Sequence, residues 1–357
     1  MRRLLVASIV ATLALVTGCG NKSETDTNAQ ASTEKPLIQE GEKHFANMVQ
    51  LTDGGQNAEA YWSADGTELI FQSQRDGAEC DAIYRMNADG SNLHKISTGQ
   101  GATTCSFISP DGTNVIYAST YLAGDSCPPK PDMSRGYTWA LYNTYDIFKA
   151  DPDGSNIIQL TNTPGYDAEC VYSPDGSKIL FTSVRDGDLD LYMMDPDGSN
   201  VKRITHEIGY DGGGFFSRDG KWICWRASRP SGAELTDYLT LLQEGLIRPS
   251  KLEIYVMNLD DMEPIQLTDN GAANFGPYWH PDGKRVIFAS NVNDEQKRNF
   301  DLYMVDVATK KVEQITYNAT FDGFPMFTYD GSKIVFASNR HNKIKGETNI
   351  FVADWVD

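Results

Sequence analysis

The sequence predicts an all-β protein, a six-bladed β-propeller with four-stranded blades. A turn of the form Ser/His/Thr-x-Asp-Gly occurs six times along the 357-residue chain. The copies begin at Ser63, Ser109, Ser173, Ser217, His280 and Thr328. Two large apolar residues precede each turn, and two short β-rich runs follow it, such as SKILFTS and DLYMMD. Self-similar units of four short strands are typical of a β-propeller.

The first and last units predict how the ring closes. Five units end in a fourth strand such as KRIT or EQIT, whereas the sixth ends at FVADWVD. Met48–Thr52, MVQLT, has the fourth-strand pattern and precedes the first unit. We therefore expect it to complete the last blade, which removes the open edges of a linear array. The propeller is then a single domain over residues 45–357.

The repeated Asp-Gly pairs raise the question of calcium binding, most directly in DPDGSN at Asp195–Asn200. Asp-Gly between two strands is a hairpin signal, because Gly adopts positive φ and Asp bonds its own backbone. An EF-hand loop needs ligands over twelve positions and a closing Glu, and no Glu stands at that offset. We interpret the pairs as turns.

Residues 1–18 are predicted to be a lipoprotein signal peptide. Arg2 and Arg3 precede an apolar run, Leu4–Val16, that ends in LVTGC, and such a segment is cleaved rather than membrane-spanning. The pattern resembles bacterial lipoproteins that carry lipid on the cysteine, here Cys19; ordinary secretion is the alternative. Residues 19–44 are polar and are predicted to be a flexible tether. We expect a periplasmic, lipid-anchored protein, and Gly20 favours the outer membrane.

Net charge limits the partners. The chain carries 31 basic and 49 acidic residues, a formal charge of −18. This balance argues against nucleic acid and anionic lipid surfaces as partners. The lipid anchor is the one membrane contact that we expect.

The six repeats resemble those of the TolB-type β-propeller family across residues 45–357. The stretches GYDGGGFFSRDG, LAGDSCPPKPD and NFDLYMVD resemble a narrower group of stand-alone TolB-like periplasmic lipoproteins. TolB itself carries an N-terminal α/β domain before its propeller, and we expect the propeller here without that domain. The resemblance implies the fold, and it leaves a role in the Tol–Pal system open.

The loops opposite the Asp-Gly turns are predicted to form the binding face, because irregular loops on a rigid scaffold usually carry function. Insertions at Thr120–Tyr145 and Ser228–Lys251 lie between strands two and three of blades 2 and 4, and the second contains a predicted helix. We expect them to wall a cleft over blade 3 and the axis. Tyr137 and Trp139 would stack on a sugar or grip a peptide; packing against the ring is the alternative.

A ring of polar side chains is predicted around the axis at this face. Five of the six first strands begin with Asn or Asp, namely Asn57, Asp167, Asp211, Asn274 and Asp322. Glu59 and Glu169 follow two residues later, and Arg75, Arg185 and Arg340 are expected beside them. Such a ring suits a cationic or hydroxylated ligand, or one divalent cation. The alternative is that these residues cap turns and tie blades together.

Five cysteines follow Cys19, in a compartment that permits disulfides. Cys80, Cys105 and Cys127 all map to the loop face. We expect a Cys80–Cys105 bridge, with Cys127 replacing one partner as the alternative. The other two lie within strands and are predicted to be buried thiols.

The sequence favours a binding module over an enzyme. It contains no Gly-x-Ser-x-Gly and no His-Glu-x-x-His motif, so no catalytic residue is assigned. We expect a monomer that presents its loop face to an envelope protein, peptide or glycan, with no cofactor except one divalent cation as an option at the axial face. The alternative is a metal-assisted polysaccharide lyase or hydrolase-like enzyme on that face, since oligogalacturonate lyases have related propellers; Asp167, Asp211 and Asp322 would then hold the metal.

Overall fold

The computed structural model describes residues 36–357. They form six four-stranded antiparallel sheets and one two-stranded sheet. The first strand of each blade packs against that of the next, and the first and last blades meet. The predicted six-bladed β-propeller is confirmed. The predicted signal peptide, Cys19 and the first part of the predicted tether lie outside the described residues.

In each blade the first strand lies nearest the axis and the following strands are arranged outward from it. Blade 1 holds Gln56–Trp62, Glu68–Gln74, Ala82–Asn87 and His94–Lys95; blade 2 holds Thr103–Ile108, Val115–Ser119, Asp146–Ala150 and Ile158–Gln159; blade 3 holds Asp167–Tyr172, Ile179–Ser183, Asp190–Met194 and Lys202–Arg203. Blade 4 holds Asp211–Phe216, Trp222–Ala227, Glu253–Asn258 and Pro264–Gln266; blade 5 holds Asn274–Trp279, Arg285–Ser290, Asp301–Asp306 and Val312–Gln314; blade 6 holds Asp322–Phe327, Lys333–Ser338, Asn349–Trp355 and the N-terminal Phe45–Gln50.

The N-terminal strand closes the ring, as predicted. Phe45–Gln50 pairs antiparallel with Asn349–Trp355, and Val49 lies opposite Val352. The ordered contacts begin before the expected boundary at residue 45. Leu37 packs against the apolar cluster of the last blades, and Glu42 is only 2% exposed. The end of the predicted tether is therefore part of the propeller, because it buries both an apolar and a charged side chain.

A β-bulge interrupts the first strand of every blade. In blade 1 the register with the second strand shifts between Ala58 and Tyr61, and the other five blades shift at the equivalent point. One residue at each bulge has φ between 51° and 62°: Glu59, Cys105, Glu169, Gly213, Gly276 and Phe324. The extra residue leaves the ladder and re-aims its side chain. All six border the space along the axis.

The Asp-Gly pairs form turns, as interpreted from the sequence. In blade 3 the Ser173 hydroxyl donates to Asp175 Oδ1 at 2.6 Å, and the Ser177 N–H donates to the same oxygen at 3.0 Å. These hydrogen bonds hold the pKa of Asp175 below its usual value. Gly176 has φ of 72°. The carboxylate is thus satisfied by its own turn.

The two insertions join each other above blade 3. Trp139–Ala140 pairs with Leu246–Ile247 as a two-stranded antiparallel ribbon. The predicted helix is confirmed at Gly232–Gln243, and its Tyr238 hydroxyl donates to Asp188 of blade 3. Short 3-10 turns lie at Tyr121–Ala123 and Met133–Arg135. No helix within residues 36–357 is long and apolar enough to cross a membrane.

Candidate functional site

A cavity of about 1180 Å³ opens at the loop face over the axis. Its floor includes the bulge residues Glu59, Cys105 and Glu169, and its roof includes Tyr137 and Trp139 of the ribbon. The floor of the cavity is therefore formed by the first strands of the blades, and its roof is formed by the two insertions. Ligand sites are commonly concave and preformed in this way.

The cavity ends blindly below the bulges. Tyr61, Phe107, Phe215 and Tyr278 pack across the axis there, with ring centroids 5.3–6.5 Å apart. Edge-to-face contacts of this kind are favourable. The space left on the axis between this aromatic plug and the bulges is about 20 Å³. The propeller therefore encloses a pocket rather than a through channel.

The polarity of the cavity differs from side to side. The second-strand residue opposite each bulge runs Gln72, Ala118, Thr182, Arg226, Ala289 and Ala337 from blade 1 to blade 6. Blades 5 and 6 contribute only alanine there, and their first strands and loops add phenylalanines to the wall: Phe275, Phe300, Phe321 and Phe324. One side of the cavity is thus aromatic, and the acidic side chains lie on the side of blades 1 to 3.

A buried ion pair crosses the floor. Arg226 Nη2 bonds to Glu169 Oε1, while Glu169 Oε2 accepts from Thr182 Oγ1 at 2.7 Å and from the Gly213 N–H at 2.9 Å. The Arg226 guanidinium lies 5.4–5.7 Å from the ring centroids of Tyr210, Trp139 and Phe275. Gly213 is required beneath it, because a Cβ there would come 1.9 Å from Nη1. The two charges are paired with each other, while Arg226 Nε is buried without a hydrogen-bond partner among the described residues.

Glu59 forms no salt bridge with a described residue, and its Oε2 accepts from the Tyr61 hydroxyl at 3.4 Å. Burial raises its pKa to about 7, with Glu169 and Asp81 adding to the rise and a hydrogen bond with Cys105 and the charge of Arg226 opposing it. Burial likewise raises the pKa of Asp81 to about 6, opposed by Lys130. Both carboxyls line the cavity. Perturbed carboxyls in a concave site are candidates for function.

The predicted polar ring lies elsewhere, in buried positions inside the blades. Asn57, Asp167, Asp211, Asn274 and Asp322 are at most 1% exposed, and none of them borders the cavity. Asp167 pairs with Arg185 at 3.0 Å. Asn57 Nδ2 donates to the Thr348 carbonyl at 2.7 Å, and Asn274 Nδ2 donates to the Leu252 carbonyl at 2.6 Å. These contacts agree with the alternative interpretation of the polar ring, in which its residues hold blades and loops together.

Asp211 and the predicted arginines follow the same pattern. Asp211 accepts from Arg229 at 2.8 Å and from Trp225 Nε1 at 2.6 Å. Arg340 pairs with Asp322 at 2.8 Å, and Arg75 lies over the Tyr84 ring at 5.6 Å. None of the three predicted arginines borders the cavity. The bulge explains the difference, because it turns the residue two positions after the Asx residue to the axis.

Tyr137 and Trp139 do border the cavity, in different ways. Trp139 is half-buried against Phe275, with ring centroids 5.3 Å apart. Tyr137 is 64% exposed at the rim, and its hydroxyl accepts from Trp139 Nε1 at 2.9 Å. Trp139 therefore packs the insertion against blade 5 and also forms part of the cavity wall. Tyr137 is available to a ligand.

Several cavity residues were not predicted, although the repeat contains a signal for them. Arg226 is the single charged residue in its column of the six second strands. The column two residues after the Asx position contains Glu59 and Glu169, which were predicted, and also Cys105 and Phe324. Asp81 follows Cys80 in a loop, and no repeat pattern indicates it.

The predicted Cys80–Cys105 bridge is wrong. Cys80 is bonded to Cys127, and Cys105 is a free, buried thiol on the cavity floor. The bulge points Cys105 to the axis, whereas Cys127 lies in the insertion of blade 2 and can meet the loop of blade 1. The predicted buried thiols, Cys170 and Cys224, are confirmed.

Peptide mapping will test this pairing. Digestion of the oxidised protein without reductant is expected to yield one cross-linked peptide pair, joining Cys80 to Cys127, with Cys105 recovered as a thiol that alkylates only after unfolding. Bridges form only between closely placed cysteines. A Cys80–Cys105 peptide pair would contradict the structure of this wall, and Cys127→Ser should abolish the expected pair.

The described residues 36–357 contain no group of three or more His, Cys, Asp or Glu side chains arranged to hold a metal ion. The carboxylates that a metal-assisted enzyme would use, Asp167, Asp211 and Asp322, are each paired with an arginine. In this arrangement they serve as structural partners of cations.

Comparisons with known proteins agree with the fold. The family model of the TolB β-propeller domain matches residues 131–240. A TolB homolog of Chlorobium luteolum is 25% identical over 165 residues, covering 40% of this chain and 36% of that protein. The chain thus spans about a third of the length of that curated relative.

Two solved structures show the same architecture. A TolB from Agrobacterium tumefaciens, described as putative, superposes with a TM-score of 0.56 at 21% identity, over 85% of this chain and 91% of that one. An oligogalacturonate lyase from Vibrio parahaemolyticus superposes with a TM-score of 0.51 at 15% identity, over 86% and 93%. At these identities the likeness concerns the fold alone. With the six repeats and the family match over residues 131–240, the chain is similar to the TolB-like β-propeller family.

Proposed function

We propose that the protein is a binding module that takes an extended polypeptide segment of an envelope protein into the axial cavity. One observation carries this proposal: a blind cavity of about 1180 Å³ with one aromatic wall, one acidic corner and a roof built from the two insertions. Extended peptides bind in preformed grooves that combine side-chain pockets with a few polar anchors.

The composition of the walls favours a peptide over a glycan. The phenylalanines of blades 5 and 6 form a continuous apolar surface, with Phe275 and Phe300 at 5.3 Å and Phe300 and Phe321 at 6.1 Å between centroids. Such a surface accepts apolar side chains, whereas a sugar presents hydroxyl groups that need polar partners. Opposite this wall, the charges of Glu169 and Arg226 are already paired with each other.

The site and the predicted membrane anchor fit one arrangement. We propose that a lipid on Cys19 holds the protein at the outer membrane, in the periplasm, with the propeller beyond the tether. The anchor would restrict the partner to proteins of the envelope. No cofactor is needed for this role.

Photo-crosslinking will test the proposal. With p-benzoylphenylalanine at position 137, on the cavity rim, irradiation of envelopes is expected to yield a crosslinked polypeptide. The same probe at position 93, on the outer edge of blade 1, should give none of it. Ser250 is exposed and borders the cavity, so Ser250→Trp should obstruct the cavity and lower the yield at least about tenfold. A yield that Ser250→Trp leaves unchanged would contradict the proposal.

A further inference from the structure

Two carboxyl groups that line the cavity form no salt bridge with a described residue. Glu59 lies on the bulge of blade 1, and Asp81 lies in the loop of the same blade, where its charge disfavours ionisation of Glu59. The charges of Arg226 and Lys130 act on Glu59 and Asp81, respectively, without forming a salt bridge to them. The cation of the floor, Arg226, is bonded to Glu169 instead. A charge kept from water normally acquires a partner.

Aromatic rings and an unpaired hydroxyl line the same cavity. Tyr145 lies near both carboxyls, and Tyr166 packs against it with ring centroids 5.7 Å apart. Tyrosine rings attract cations through their faces. Thr138, in the roof, is 1% exposed. Its hydroxyl oxygen is buried without a hydrogen-bond partner, although it belongs to the cavity lining. A buried hydroxyl of this kind is normally satisfied.

We infer that Glu59 and Asp81, with Tyr145 beside them, form a subsite for a primary ammonium group of the bound peptide, in the cavity that Thr138 also lines. The ammonium would come from a lysine side chain or from the peptide N-terminus. This inference rests on the proposed function, and it names the charged group that the peptide must carry. The ammonium has three donors and needs acceptors only, and the two carboxyls supply them.

Peptide binding at this subsite is expected to release protons and to depend on pH. The groups that face Glu59 are Tyr61, Asp81, Cys105, Glu169 and Arg226. Burial raises the pKa values of the Tyr61 phenol and the Cys105 thiol, so both keep their protons at pH 7. An ammonium favours ionised Glu59 and lowers its pKa. Binding near pH 6.5 should therefore release protons, and affinity should rise between pH 5 and pH 8.

Three matched pools of random pentapeptide amides will test the subsite on the immobilised protein. One pool has a free N-terminus and no lysine or arginine, a second is acetylated and contains one lysine, and a third is acetylated without lysine or arginine. The first or the second pool is expected to be captured at least about tenfold more than the third, as for a charge-assisted contact. The comparison of the first two distinguishes the N-terminus from lysine.

Glu59→Gln should reduce that preference to within about twofold. Glu263→Gln, an exposed glutamate in a turn of blade 4 away from the cavity, should preserve it. Equal capture of all three pools, with Ser250→Trp abolishing it, would overturn the ammonium subsite and leave the peptide cavity standing. Capture of none of the pools would overturn both. A preference that survives Glu59→Gln would place the ammonium elsewhere and overturn the inference.

Discussion

Replacing Arg340 with leucine is expected to lower the free energy of unfolding by about 3–5 kcal/mol. The Arg340 side chain is 1% exposed and bonds to Asp322 at 2.8 Å and to Glu42 at 3.0 Å, both fully buried. Its Nη1 also donates to the Leu37 carbonyl at 2.7 Å. The substitution leaves two carboxylates in the interior without a cation. Urea denaturation at pH 7 measures the change.

Lys333→Met provides the matched control in the same blade. Lys333 pairs with Asp354 at the surface, where the two side chains are 46% and 35% exposed, and the expected loss is below about 1 kcal/mol. Burial raises the pKa of Asp322 even with Arg340 present, so in Arg340→Leu this carboxyl should destabilise the fold increasingly as pH rises. The loss should therefore be smaller at pH 4 than at pH 7. Equal losses of unfolding free energy in the two variants would contradict a structural role for the buried ion pairs of Arg340.

Replacing Glu59 with glutamine is expected to stabilise the protein, by about 2 kcal/mol at pH 8. The folded-state pKa of Glu59 is about 7, against an ordinary value of 4.5. A carboxyl whose pKa is raised on folding favours the folded state least when it is ionised, so its cost appears as pH rises from 4.5 through 7. The cost is smaller than the full shift implies, because the open cavity lets water reach part of the side chain.

Denaturation of Glu59→Gln between pH 4 and pH 8 will reveal this dependence. The gain in stability should be small at pH 4 and grow towards pH 8. Glu263→Gln, with its exposed carboxyl, should show no such trend. A loss of stability at pH 8 in Glu59→Gln would mean that Glu59 serves the fold. The expected gain would mean that a destabilising carboxyl occupies the cavity, which is characteristic of functional sites.

The architecture was predictable because the repeat carries it locally. Apolar pairs before each turn, β-rich runs after it and Asp-Gly in the turn all favour the same four-stranded unit. The closing strand followed from counting strands in the first and last units. The burial of Glu42 was not predictable from composition, because this residue stands in a polar segment and its burial depends on the ion pair with Arg340.

The cavity was predicted in position but only in part in composition. Tyr137, Trp139, Glu59 and Glu169 border the cavity together with the insertions, and their role in binding stays a prediction. The Asx residues were expected at the axis because strand alternation was counted without a bulge. One extra residue with positive φ in each first strand changes which side chains face inward. The preferred disulfide was wrong for the same reason, since the bulge directs Cys105 to the axis, and the alternative with Cys127 in place of Cys105 is the one that forms.

The titration of Glu59 tests the central claim most directly, namely that a carboxyl without a salt-bridge partner in the axial cavity is the anchor for a ligand. Its side-chain carboxyl carbon can be followed by NMR in protein labelled at glutamate, with Glu59→Gln providing the assignment. The account predicts a pKa of about 7 in the free protein, falling below about 6 when an ammonium-bearing pentapeptide is bound. A pKa near 4.5 that the peptide leaves unchanged would contradict it.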